Sequence, residues 1–149
     1  MLLQVKVVKT KPNAKIPTWG SVNAAGADLY ACLEQTVPLE IQPHTTAMIP
    51  LGIKTEFTPG YAAMIYARSG LASKKGLAPA NKVGVIDADY RGEWMVALHN
   101  HSNTVQYIED GERIAQAVFH EVEHPEFIES DELSETDRGE NGFGSTGNK

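Results

Sequence analysis

Along the first 124 residues the apolar positions recur with strand periodicity rather than helical periodicity. Leu3-Gln4-Val5-Lys6-Val7 and Ile53-Lys54-Thr55-Glu56-Phe57 alternate apolar and polar, as half-buried strands do, and the second runs into the turn pair Pro59-Gly60. Tyr61 to Tyr66, Trp94 to Leu98 and Ile114 to Phe119 are apolar runs of strand length, rich in aromatic and β-branched residues, which predicts more deeply buried strands. Helix is scarce: the one good candidate is Ser69 to Lys75, barely two turns, closed by Gly76. Many short strands with frequent Pro and Gly punctuation predict an all-β sandwich or barrel.

After Pro125 the pattern stops. Glu126 to Glu140 carries seven acidic residues and one basic one, Arg138, and Asn141 to Lys149 is mostly Gly, Ser, Thr and Asn around a single aromatic, Phe143. Such a segment cannot bury enough surface to fold alone, so the expected organisation is a core over 1–124 and an arm over 125–149.

The whole chain, 149 residues, is long enough for one ordinary core without metal or disulfide staples. Thirteen Lys and Arg against 19 Asp and Glu give a net charge of −6, the wrong sign for general adhesion to nucleic acid or anionic lipid. A small polyanion therefore needs a locally built pocket. The lone cysteine, Cys32, forms no internal disulfide, and Met1 to Lys11 holds no apolar run of signal-peptide length. Nothing approaches the ~18 apolar residues of a membrane span. These features lead to the expectation of a cytoplasmic protein.

Several residues carry chemistry. Gly142-Phe143-Gly144-Ser145-Thr146-Gly147 matches the dinucleotide-binding pattern letter for letter, but only two residues follow, so no helix N-terminus can meet a pyrophosphate. What survives is an anion nest of glycine N–H groups, with the Ser145 and Thr146 hydroxyls and the fork of Arg138. Arg68-Ser69-Gly70 stands where a buried strand gives way to the short helix; Ser69 either caps that helix or helps hold an anion there. Gly84 to Gly92 reads as a hairpin or tight loop in which Asp87 and Asp89 share a face if the segment is extended, and Asp28 is a third carboxylate beside a glycine. Spacing alone assigns none of the three a role. His99 and His101 would share a strand face, but without a nearby cysteine, and with His120 and His124 outside any helical pattern, a zinc site is not the expectation. Cys32 reads as a small core residue.

In chain order, Ala25-Gly26-Ala27-Asp28-Leu29-Tyr30, Arg68-Ser69-Gly70-Leu71-Ala72, Gly84 to Gly92, Gly111-Glu112-Arg113-Ile114-Ala115-Gln116 and Arg138 to Gly147 together resemble the five motifs of the homotrimeric dUTP diphosphatase (dUTPase) family. The resemblance covers almost the whole chain. One departure is Glu140-Asn141, where the fifth motif usually reads Thr-Gly; Glu140 brings negative charge close to a triphosphate.

The resemblance implies a distorted jelly-roll-like β-barrel, assembled as a homotrimer with sites shared between subunits, each closed by a C-terminal arm. It implies Mg²⁺-dependent hydrolysis of dUTP to dUMP and pyrophosphate by in-line attack of water on the α-phosphorus, which limits uracil in DNA and supplies dUMP. Asp87 then resembles the base, and Asp28 the carboxylate that meets Mg²⁺ through water. Arg68, Ser69, Gly70 and Gln116 resemble phosphate contacts, while Arg138, Gly144, Ser145 and Thr146 belong to the closing segment and Phe143 stacks on uracil. Backbone groups at Val85, Ile86 and Asp87, with Asn81, would read the uracil edge; fixed hydrogen bonds of this kind reject a mismatched edge by ~10⁴-fold or more. Tyr90 resembles the residue packed on deoxyribose, where a 2′-hydroxyl would clash, and Met95 occupies a substrate-contact position. A dCTP deaminase on this fold would carry a glutamate five residues beyond Gly92, where this chain has Ala97. A non-catalytic nucleotide sensor on the same scaffold is the alternative from another class.

Overall fold

The computed structural model describes residues 3–142. Twelve strands and one helix follow in the order β1 (Val5–Lys9), β2 (Thr18–Trp19), β3 (Ala27–Tyr30), β4 (Leu39–Ile41), β5 (Thr46–Pro50), β6 (Ile53–Phe57), β7 (Tyr61–Tyr66), α1 (Ser69–Lys75), β8 (Leu77–Pro79), β9 (Gly84–Asp87), β10 (Met95–Asn100), β11 (Gln106–Ile108) and β12 (Arg113–Glu121). The largest sheet has the order β2-β3-β12-β7-β9; a second has β5-β10-β8, and two pairs, β1-β6 and β11-β4, complete the layers. Every pairing is antiparallel. The result is the expected all-β, jelly-roll-like architecture.

Alternation decides which way each strand faces. In β6, Ile53, Thr55 and Phe57 are buried while Lys54 and Glu56 reach solvent. Lys6 lies opposite Glu56 across the β1–β6 pair and its Nζ meets Oε1 at 2.6 Å, which holds the Glu56 carboxyl below its ordinary range. In the large sheet the inward face carries Leu29, Ala63, Ile65, Ala115 and Ala117, all buried. The alanines at its centre leave room for the bulk of Ile49, Leu98 and Trp94 in the common core.

Several strand ends and the helix cap differ from expectation, and β12 extends the expected Ile114–Phe119 by one residue before and two after. The first strand spans Val5–Lys9 rather than Leu3–Val7, because pairing with the whole of β6 carries it to Lys9. Trp94 is buried as expected but precedes β10: its backbone N–H donates to Ile53 O and its carbonyl accepts from Leu51, outside the β5–β10 ladder. The helix matches its predicted span, yet Arg68 rather than Ser69 occupies the capping position, and no side chain caps it.

Gly76 ends α1 in the left-handed region, at φ 66°, and its N–H returns to Ala72 O. Lys75 pairs with Glu112 at 3.0 Å, tying the helix to the loop before β12. Between Leu98 and the β11 loop sits Asn100, a fully buried polar side chain. Its Nδ2 donates to Ile41 O (2.9 Å) and Thr104 O (2.8 Å), and its Oδ1 accepts from the Ser102 N–H (2.9 Å) and hydroxyl (2.7 Å). Asn100→Ala would strand the part-buried Ser102 N–H and the buried Ile41 carbonyl and remove these bonds together. A loss of about 3 kcal/mol of unfolding free energy is expected, read by urea denaturation; a loss below about 0.5 kcal/mol would show that the network does not hold β4, β10 and β11 together.

Beyond β12 the chain leaves the sheets. Glu123 to Asn141 is exposed and holds no helix or strand, and Phe127, Ile128 and Leu133 stand almost fully in solvent. Among the described residues no helix is long and apolar enough to cross a membrane.

Candidate active site

The candidate residues gather in two places. The first is the end of the large sheet where β3, β12 and β7 run side by side. The register sets Asp28 opposite Gln116 and Gln116 opposite Tyr66, so the three side chains leave one face in a row. Asp28 is only 7% exposed, and both of its oxygens are engaged: Oδ1 accepts from Arg68 Nε at 2.8 Å and Oδ2 from Arg113 Nη1 at 3.1 Å. Arg68 also donates from Nη1 to Arg113 O at 3.4 Å, and its Nη2 has no hydrogen-bond partner among the described residues. Gln116 Nε2 donates to Ala67 O at 2.9 Å, fixing the segment that leads into Arg68. A Cβ on Gly26 would approach Gln116 Oε1 to 2.8 Å, so the first motif's glycine makes room for the fourth motif's glutamine. Ser69 and Gly70 are exposed at the uncapped start of α1, with nothing within 4 Å of where a Gly70 Cβ would stand. Two guanidinium groups and open backbone N–H groups around one carboxylate make this end locally cationic on an acidic protein.

Arg113 was not among the candidates, and the reason is geometric. Strict alternation along β12 sets Arg113 on the face opposite Gln116. The register against β3 slips between Arg113 and Ala115, a bulge that turns Arg113 back toward Asp28. Sequence periodicity does not announce a bulge.

The second place is a cavity of about 330 Å³ between β9 and β10, lined by Asn81, Val85, Ile86, Asp87, Tyr90 and Met95, with Glu93 and Ala97 among its other walls. The strand ends at Asp87, and the chain turns through Ala88 and Asp89, closed by the Tyr90 N–H on Asp87 O at 3.1 Å. Arg91 Nη1 braces the turn on Ala88 O at 2.8 Å. Asp89 therefore does not continue Asp87's strand face; it faces a larger neighbouring cavity that Asp87 also lines. The Asp87 carboxylate is exposed and accepts no hydrogen bond from the described residues. Tyr90 folds back so that its hydroxyl donates to Glu93 O at 3.2 Å. Neither Glu93 nor the apolar lining residues Met48, Ile65 and Pro79 carried a sequence signal; they converge only through the β5–β10–β8 ladder and the crossing of β7.

These two places are far apart within one chain. Asp87 lies level with Ala62 and His120, Asp28 level with Tyr66 and Gln116, with β7 and β12 between β9 and β3. Four residues along the strand and three strand spacings across the sheet separate the two carboxylates by roughly 20 Å.

The remaining candidates stand aside. Arg138 is on the exposed arm, its Nε donating to Asn141 O at 2.8 Å. Phe143, Gly144, Ser145 and Thr146 lie outside the described residues. The His99 and His101 rings meet edge-on, centroids 4.4 Å apart, with His99 Nδ1 on the Thr46 hydroxyl and the His101 pKa pushed down by burial first and by His99 next. Among the described residues no three His, Cys, Asp or Glu side chains converge as metal ligands. Burial pushes the Cys32 thiol up, which keeps it protonated and inert.

A dUTPase family model matches residues 12–147, so it takes in all five motif segments. The chain belongs to the dUTPase family. The deoxyuridine 5'-triphosphate nucleotidohydrolase of Desulfitobacterium hafniense is 47% identical over 146 residues, covering 97% of this chain and 95% of that protein. The enzyme of the same name from Burkholderia cenocepacia is 41% identical over 148 residues, covering 99% of both. Among solved structures, the Staphylococcus bacteriophage 80alpha dUTPase with dUpNHpp superposes with a TM-score of 0.87 at 27% identity, over 97% of this chain and 98% of that one. A dUTPase of phage phi11, described with a structural Mg(II) ion, shares the fold at a TM-score of 0.78 and 21% identity, over 89% of this chain and 99% of that one.

Proposed function

We propose that this dUTPase-family chain hydrolyses dUTP to dUMP and pyrophosphate, and that the 330 Å³ cavity beside β9 receives the deoxyuridine. The observation that carries this reading is the company Asp87 keeps. A carboxylate that accepts no hydrogen bond from the described residues stands at the mouth of a nucleoside-sized pocket walled by Asn81, Tyr90 and Met95. Backbone groups of β9 line one wall and pair with the uracil edge. A Gly84 Cβ would stand 3.3 Å from Asn81 Nδ2, so glycine there leaves the Asn81 amide space beside that edge. The site rejects thymine sterically, because a narrow turn has no space for its methyl. Tyr90 packs on the deoxyribose, where a ribose 2′-hydroxyl would collide with the ring.

Asp87 orients a water in line with the bond to the leaving pyrophosphate and takes its proton. Arg68, the Ser69 and Gly70 backbone and Gln116 bind and orient the phosphates; Arg138 and the Gly144 to Thr146 segment close over them, with Phe143 on the uracil face. Positioning and charge neutralisation are most of what phosphoryl chemistry asks of a protein.

The donor set fits Mg²⁺ that arrives on the triphosphate. No protein-only cluster of ligands forms among the described residues, and Asp28, already bound to two guanidiniums, retains lone pairs for hydrogen bonds from metal-bound water. When bound, the ion neutralises phosphate charge and sets the triphosphate's geometry.

The roughly 20 Å between Asp87 and Asp28 supports a homotrimer in which one subunit offers the β9 pocket, another the Asp28–Arg68–Gln116 cluster and a third its arm. On this reading 1–124 is the enzyme core, 125–149 is the arm, and the cell compartment is the cytoplasm.

Pyrophosphate release with Mg²⁺, measured separately on dUTP, UTP, dCTP and dTTP, tests the reading. Strong release from dUTP alone is expected. Comparable release from all four would mean that the pocket does not read uracil; binding of dUTP without release would make the protein a sensor.

A further inference from the structure

Gly92 stands two residues after Tyr90, and nothing in its backbone calls for glycine: its φ is outside the left-handed region that Gly52, Gly60, Gly76, Gly111 and Gly139 occupy. Space is the constraint. A Cβ built on Gly92 would fall 2.2 Å from the Tyr90 hydroxyl oxygen, 2.4 Å from Cζ and 2.8 Å from Cε2, all closer than carbon atoms tolerate. The ring of Tyr90 thus occupies the volume that any other residue at 92 would fill. Its hydroxyl is tied at the far end to Glu93 O at 3.2 Å. Glu93 is itself tied to the end of β1, Oε1 accepting from the Thr10 hydroxyl at 2.8 Å.

We propose that Gly92 is a positioning residue for sugar selectivity: by lacking a side chain it lets Tyr90 fold back against the turn, in the orientation that excludes a ribose 2′-hydroxyl. This rests on the deoxyribose role proposed for Tyr90. The atoms in the way belong to the end of a flexible side chain that is 44% exposed, so the ring, not the backbone, yields to an added methyl. Gly92→Ala therefore folds and swings Tyr90 outward, breaking its bond to Glu93 O and opening the space beside C2′. Selectivity falls before catalysis does, because Asp87 and the β9 backbone are untouched.

The test is kcat/KM for dUTP and for UTP in the wild-type protein, Gly92→Ala, Tyr90→Ala and the double variant, with thermal unfolding of each. Gly92→Ala is expected to lower the dUTP:UTP preference by about tenfold, with kcat on dUTP changed far less. The double variant should be no less selective than Tyr90→Ala alone, since both changes act through one ring. A folded Gly92→Ala protein with wild-type preference overturns the proposal, and so does a full additive loss in the double variant. If Gly92→Ala does not fold, the double variant decides: recovery of folding shows that the ring was the obstacle, and continued failure shows that it was not. Absence of any dUTP preference in the wild-type protein would instead strike the role given to Tyr90.

Discussion

Asp87→Asn is expected to lower kcat on dUTP by about 10²–10⁴-fold while leaving dUTP affinity within a few-fold of the wild type. The substitution keeps shape and hydrogen-bonding length but removes the basic lone pair, so it separates proton abstraction from binding. The structure sharpens the choice between the two carboxylates of the turn. Asp87 ends β9 and lines both the nucleoside-sized cavity and the larger one beside it, whereas Asp89 has turned away and lines only the larger. Asp89→Asn should accordingly change kcat by less than tenfold. Near-normal hydrolysis by Asp87→Asn, measured by pyrophosphate release alongside calorimetric dUTP binding, would remove Asp87 from the mechanism. A variant that loses binding as well would make Asp87 a ligand contact rather than a base.

How much of this was legible in the sequence depends on the kind of interaction. Alternation identified Ile53–Phe57, an apolar run of strand length Tyr61–Tyr66, and the Gly76 stop the helix from Ser69 to Lys75, each to the residue, because each is a local pattern bounded by Pro or Gly. The short strands β2, β4, β8 and β11 left no pattern of their own: two or three residues cannot show a period, and they are strands because a neighbour offers a ladder. The motif order pointed to the family and to the candidate residues. It did not show that Arg113 joins Arg68 on Asp28, which depends on a bulge, or that Gly26 and Gly92 are shaped by Gln116 and Tyr90. Those are statements about empty volume, and a sequence has no volume until it folds.

In the proposed trimer the base and the phosphate grip of one site come from different chains, and that arrangement has a signature no single-chain site shares. Arg68→Ala removes a guanidinium from Asp28 and from the proposed phosphate side; Asp87→Asn removes the proposed base. Each variant alone should be nearly inactive. Mixed trimers, formed by unfolding and refolding the two variants together in equal amounts, contain sites that draw an intact Asp87 from an Arg68→Ala subunit and an intact Arg68 from an Asp87→Asn subunit. Random assembly makes about one quarter of all sites complete, so activity should return to about 25% of the wild-type protein refolded the same way. If instead one chain supplied both groups, every site in every mixed trimer would lack one of them, and the mixture would be no more active than its parts. The separation of roughly 20 Å along the β3–β12–β7–β9 sheet favours the first outcome: a carboxylate that must reach the attacking water within hydrogen-bond distance cannot also serve phosphates gripped at the far end of its own sheet.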